Sequence, residues 1–182
     1  MPQEQIALLA GSCGNGHKRI NAMTKDAKAD FWDRVDDVQA GMLGLTSDGK
    51  LVPMSPNLRE TRDGKIWFIA AKGEEIVDST SATPSEARFV IADAKSGLYA
   101  NVEGTLAHDN DKEVLDEIWN MVASAWFEDD KQDPDLRLLA FTPSKAAVWL
   151  STTSGVKFLY EIAKANLTDT QPDTGYQAEL TF

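Results

Sequence analysis

The segment Gly11-Ser12-Cys13-Gly14-Asn15-Gly16-His17-Lys18 is the first whose residue types could do chemistry, because closely spaced glycines ahead of a lysine can wrap a phosphate. Its spacing departs from the phosphate-loop pattern. His17 follows Gly16 where a lysine is needed, and Arg19 follows Lys18 where a hydroxyl would hold magnesium. Nucleotide hydrolysis is therefore not expected, and a flexible leader accounts better for the segment. His17 and His108 lie far apart, neither beside a serine or cysteine in a nucleophile setting, and the single cysteine, Cys13, allows no internal disulfide. No zinc set can be assembled from them. Glu128, Asp129, Asp130, Asp133 and Asp135 gather carboxylates, but without the alternating order of a calcium loop. A solvated loop is expected there, with weak cation binding as the alternative. The five tryptophans, Trp32, Trp67, Trp119, Trp126 and Trp149, are spread along the chain as large core anchors. Trp126-Phe127, beside the acidic segment, could instead line a planar ligand or a subunit contact.

The chain that must position these groups has 182 residues, 18 Lys+Arg against 29 Asp+Glu, and a net charge of −11. That length suits one domain with an ample core. The acidic balance repels phosphate backbones, so no nucleic-acid partner is expected. No apolar run approaches the ~18 residues of a membrane helix. Ile6–Gly11 followed by Ser12-Cys13 faintly resembles a lipoprotein signal, but Met1–Gln5 carries no basic residue and the apolar run is short. A cytoplasmic protein is the expectation.

Lys25–Gln39 sets Ala27, Phe31, Val35 and Val38 at helical spacing, and Gly41 ends the helix. Met42–Thr46 and Leu51–Met54 flank Ser47-Asp48-Gly49-Lys50, a hairpin signal, and Arg62-Asp63-Gly64-Lys65 signals a second hairpin into Ile66–Ala71. A short helix follows over Glu74–Thr80, then strands over Arg88–Asp93 and Leu98–Leu106 joined at Lys95-Ser96-Gly97. Asp109 or Asn110 is expected to cap a helix running to about Trp126. Strands over Leu136–Phe141 and Ala146–Leu150, turning at Pro143, precede a last helix over Gly155–Ala165 and a polar, extended Asn166–Tyr176. The pattern predicts an α+β chain, mainly β and antiparallel, whose sheet closes into a barrel to remove its edges. Residues 1–23 are expected as a leader, 24–165 as the domain and 166–182 as a C-terminal tail.

Several segments together carry a family likeness: Phe31-Trp32-Asp33-Arg34-Val35, Gly41–Thr46, Asp48–Ser55 ending in Pro53-Met54-Ser55, Ile66-Trp67-Phe68 and Tyr99–Leu106. The most specific piece runs from Trp119 through Ala125-Trp126-Phe127 and Asp133-Pro134-Asp135-Leu136 to Leu138-Leu139 and Thr142-Pro143. Over about residues 27–150 the chain resembles the general stress protein branch of the pyridoxamine 5′-phosphate oxidase-like proteins. The resemblance implies a split β-barrel with flanking helices that dimerises and holds FMN in a cleft between subunits. It places Pro53, Met54 and Ser55 beside the isoalloxazine ring and runs Ile69, Ala70, Ala71 and Lys72 past the ribityl phosphate. Val52 and Trp126 join them as candidate cofactor contacts. No metal site is implied, and no catalytic side chain stands out.

The chain also departs from the family pattern. Most relatives carry an arginine directly before Pro-Met, where this chain has Val52. The usual Ser-x-Lys phosphate clamp falls on Glu74 and Ile76. Charge-assisted bonds to a phosphate are worth roughly 1.5–3 kcal/mol each, and Glu74 adds repulsion. Lys72 and Arg59 are the cations available to compensate. Three functions stay open. One is an FMN-dependent oxidoreductase, whose flavin carries the chemistry. Another is a degenerate binding module for another small planar ligand or none, with haem disfavoured because only His17 and His108 could ligate it. The third is an acidic, structural stress protein.

Overall fold

The computed structural model describes residues 27–80, 83–119, 123, 127, 130–151 and 175–182. The expected leader with Cys13 and His17, the helix over 155–165 and Trp126 lie outside the described residues. Helix α1 (27–35) buries Ala27, Phe31 and Val35, the stripe its spacing predicts. Strands β1 (Gly41–Leu45) and β2 (Val52–Met54) form the first hairpin, turning at Gly49 with φ 69°. Then come β3 (Ile66–Ala71), α2 (Glu75–Thr80), β4 (Ser85–Asp93), β5 (Leu98–Asp109), α3 (Lys112–Ile118), β6 (Leu136–Ser151) and β7 (Gly175–Thr181).

The sheet is antiparallel throughout, in the order β2-β1-β4-β5-β6-β3, with β7 added on β6. Its two ends are brought together at a single bridge just past β2, where Asn57 and Trp67 of β3 exchange backbone hydrogen bonds of 2.9 and 2.8 Å. The sheet thus curls into a barrel whose seam is only partly closed. Leu43, Phe68, Phe89, Val102, Phe141 and Val148 fill the interior, with the Phe89 ring 5.1 Å from Phe68 and 6.5 Å from Phe141. On the outer face of β3 and β6, Trp67, Leu138 and Ala140 form a second core with Val114 and Ile118 of α3. The Trp67 indole N–H donates to Asp63 Oδ2 at 3.0 Å, so its burial leaves no orphan donor.

Several elements differ from the sequence reading. The second hairpin does not form: β3 meets the chain just past β2 at one bridge, Asn57–Trp67, and instead pairs along β6 from Ile66↔Phe141 to Ala71↔Leu136. Pro53 and Pro56 lack the N–H groups a continuous ladder would need on that edge, which leaves the seam open. Pro143 does not break the chain into two strands; β6 is one strand of 16 residues. The register shifts opposite Glu103/Gly104, and the extra residue, Ser144, is absorbed as a bulge, a place where proline is tolerated. Gly104 makes this possible, since a Cβ there would lie 2.3 Å from the Thr142 carbonyl oxygen. The expected tail ends in β7, whose Leu180 is buried, and the Phe182 ring just after it lies 5.3 Å from Phe31 and 5.5 Å from Trp32.

Helix α3 is shorter than expected. Because β5 continues to Asp109, the N-cap is Asp111 rather than Asp109 or Asn110; its Oδ1 accepts from the Glu113 and Val114 amides at 2.9 and 3.3 Å. It ends at Ile118, with Trp119 extended at φ −63°, ψ 125°; Ala123 is helical again, and the rest of the expected run, 120–122 and 124–126, lies outside the described residues. The tryptophans divide: Trp67 is core, Trp32 and Trp119 are half-buried, and Trp149 is 45% exposed.

Candidate ligand-binding cleft

The open part of the seam is a cleft of about 910 Å³, within the ~300–1,000 Å³ range of small-molecule sites. One wall is Val52–Ser55 with Pro56 and Asn57, and the facing wall is Ile69–Ala71 with Glu74 and Ile76. Asp36, Val38 and Gln39, from the turn after α1, and Ala123 and Phe127 complete it. Seven of the nine sequence-derived candidates, Val52, Pro53, Met54, Ser55, Ile69, Ala70 and Ala71, therefore meet around one space. Lys72 is exposed and is not among the lining residues. Trp126 lies outside the described residues, although its neighbour Phe127 does line the cleft.

Local chemistry sets both walls. The register Gly41↔Met54, Met42↔Pro53, Leu43↔Val52 fixes the first wall against β1, and the second is held by the β3–β6 ladder. Gly73, at φ 89°, turns the chain from β3 into α2 and so brings Glu74 and Ile76 to the rim. Asp36, Val38 and Gln39 were not legible as site residues. They are placed by α1, which Arg34 ties to the barrel through the carbonyls of Ser96, Gly97 and Ser151 at 3.0, 2.9 and 2.8 Å. His108, a weak catalytic candidate, lies with Nε2 2.8 Å from the Val77 carbonyl oxygen, joining β5 to α2.

Charges around the cleft are mostly paired. Arg62 donates to Asp36 at 2.8 Å, and that bond raises the guanidinium pKa. Arg59, a candidate phosphate partner, donates instead to Glu117 at 2.7 Å. That bond, with a further one from the Glu60 amide, holds the Glu117 carboxyl below its ordinary value. Lys50 pairs with Glu75. Among the described residues no cluster of His, Cys, Asp and Glu is arranged to hold a metal ion. No helix among them is long and apolar enough to cross a membrane.

A planar heterocycle suits these walls: Val38, Pro53, Met54, Ile69, Ile76 and Phe127 offer apolar surface, and Gln39, Ser55 and Asn57 offer polar groups at its edge. A phosphate does not. The described lining residues include Asp36 and Glu74 but no Lys, Arg or His.

A partly closed antiparallel barrel with a cleft in its seam is a split barrel, and comparison with known proteins gives the family. Residues 26–173 match the family described as pyridoxamine 5′-phosphate oxidase like. The chain belongs to that family, in its general stress protein branch. A candidate general stress protein 26 from Jannaschia sp. CCS1 superposes with a TM-score of 0.83 at 48% identity, over 87% of this chain and 99% of that one. The general stress FMN/FAD binding protein of Xanthomonas citri gives a TM-score of 0.65 at 29% identity, over 72% of this chain and 93% of its own. A Clostridium acetobutylicum protein related to general stress protein 26 gives 0.56 at 15% identity, over 69% and 89%, a likeness of fold. No curated protein matches the chain.

Proposed function

We propose that the cleft between β2 and β3 holds the isoalloxazine ring of a flavin and that the protein is a flavin-dependent oxidoreductase. The observation that carries this reading is the convergence of Val52–Ser55 and Ile69–Ala71, from opposite ends of the sheet order, on one largely apolar space. Family membership and the flavin-binding description of the Xanthomonas citri relative support it. When bound, the flavin supplies the electron-accepting chemistry. The chain's own residues sandwich the ring and exclude water from it, Pro53 and Met54 on one side and Ile69 and Ala70 on the other.

The reading commits to the ring and not to FMN's phosphate, for which the described lining offers no cation. It also includes a homodimer. The outer face of the sheet carries Met42, Tyr99 and Trp149, 38%, 38% and 45% exposed. Cross-strand register sets Met42 beside Val90 on one rung, and Ala92, Tyr99 and Trp149 together on the next, an exposed apolar patch of the kind that a second subunit covers. A cytoplasmic setting rests on the lone cysteine.

The test is the visible absorption spectrum of the purified full chain, before and after incubation with riboflavin or FMN and removal of excess. A retained flavin band, perturbed from that of free flavin, is the expected result. A flat spectrum with both flavins would sink the reading.

A further inference from the structure

We propose that the cleft selects a flavin without a phosphate, riboflavin or a close analogue, over FMN. The inference rests on the reading that the cleft holds an isoalloxazine ring, and it concerns the other end of the ligand. Among the described residues the lining carries two carboxylates, Asp36 and Glu74, and no cation. Asp36 is balanced by Arg62 at 2.8 Å, whereas Glu74, exposed at the corner between β3 and α2, has no ion pair among the described residues.

Of the neighbouring cations, Lys72 is exposed and outside the lining, and the others are held elsewhere. Lys50 pairs with Glu75 and Arg59 with Glu117. Arg137, which faces Ala70 across the ladder, turns to the carbonyls of Pro134 and Leu136. Nor does α2 offer an anion site at its start: it is six residues long and carries Glu75 and Asp78 in its first turn. A phosphate entering this corner would meet an unbalanced carboxylate well inside the ~8–10 Å screening length of ordinary buffers. A neutral polyol chain meets the opposite situation. Its hydroxyls donate, and a carboxylate is a pure acceptor with two oxygens to receive them. Glu74 therefore favours ribityl hydroxyls and opposes a phosphate at the same place.

The experiment is equilibrium titration of the full chain with riboflavin and with FMN, read by quenching of flavin fluorescence. Riboflavin is expected to bind about tenfold or more tightly than FMN at low ionic strength, a gap that narrows with salt. Glu74→Lys should move the FMN-to-riboflavin affinity ratio toward FMN by about tenfold or more, and Glu74→Gln by less. Both changes fall on an exposed residue, so folding is retained. FMN binding as tightly as riboflavin would overturn the inference and leave the flavin reading standing. So would an affinity ratio unmoved in Glu74→Lys, because selection would then not be electrostatic. Binding of neither flavin would overturn both.

Discussion

Arg34 stands where α1 meets the barrel, and its removal tests whether that junction holds the site's outer wall. Its Nη1 lies 3.0, 2.9 and 2.8 Å from the carbonyl oxygens of Ser96, Gly97 and Ser151. One guanidinium nitrogen has two hydrogens, so three acceptors share two bonds. Bonds from a charged donor contribute roughly 1.5–3 kcal/mol each, which sets an upper range of ~3–6 kcal/mol. The Gly97 carbonyl keeps its bond from the Ser151 amide at 2.9 Å, and the half-buried site lets water reach the others. Arg34→Ala is therefore expected to cost about 2–4 kcal/mol, or roughly 5–15 °C in melting temperature for a chain of this size. Urea unfolding followed by tryptophan fluorescence measures it. Arg34→Lys should recover part of the loss, since an ammonium can still reach one or two carbonyls. Because α1 leads directly into Asp36, Val38 and Gln39, flavin affinity should fall together with stability. A loss below ~1 kcal/mol in Arg34→Ala, with an unchanged denaturant slope, would refute the reasoning.

Phe182→Ala should cost about 1.5–3 kcal/mol, because the ring closes an aromatic cluster with Phe31 and Trp32 and also lies 4.9 Å from Lys28 Nζ; an unchanged urea midpoint would show that β7 is not part of the cooperative unit. Glu117 has a depressed pKa in the folded chain, from the Arg59 hydrogen bond first, so its contribution is present above the unfolded carboxylate value of ~4.3 and is lost as pH falls through the lower folded value. The stability gap between the native chain and Glu117→Gln should accordingly be full at neutral pH and narrow in acid below about pH 4, and a gap that stays constant would contradict the assignment. Trp149→Asp, on the exposed patch, is expected to shift the chain toward monomer in analytical ultracentrifugation while the fold persists. An unchanged sedimentation coefficient would place the subunit contact elsewhere.

Much of the barrel was readable because its strands alternate. Ala87, Phe89 and Ile91 in β4, and Leu98, Ala100 and Val102 in β5, point inward, as period-two patterning requires. What escaped depends on partners distant in sequence. Pro143 signals a break by itself, and only Gly104 on the neighbouring strand lets β6 pass through as a bulge. β7 has one buried side chain, Leu180, so its place is set by the free edge of β6 rather than by its own pattern. Asp63-Gly64 does announce a turn, but the partner of β3 is chosen by the Ile66–Phe141 to Ala71–Leu136 ladder. In the site, both main walls followed from the resemblance. The third wall, Asp36 to Gln39, arrives through Arg34 bonds spanning 62 to 117 residues, which no local spacing reveals.

The central claim, that the seam between β2 and β3 is a flavin site, is tested most directly by titrating riboflavin into the native chain and into Ala71→Trp. Ala71 is half-buried on the cleft wall, and an indole there would occupy the space assigned to the ring. Quenching of flavin fluorescence that saturates with the native chain, and is weakened at least about tenfold in a folded Ala71→Trp, is the predicted result. Flavin binding of equal strength in both chains would contradict the claim.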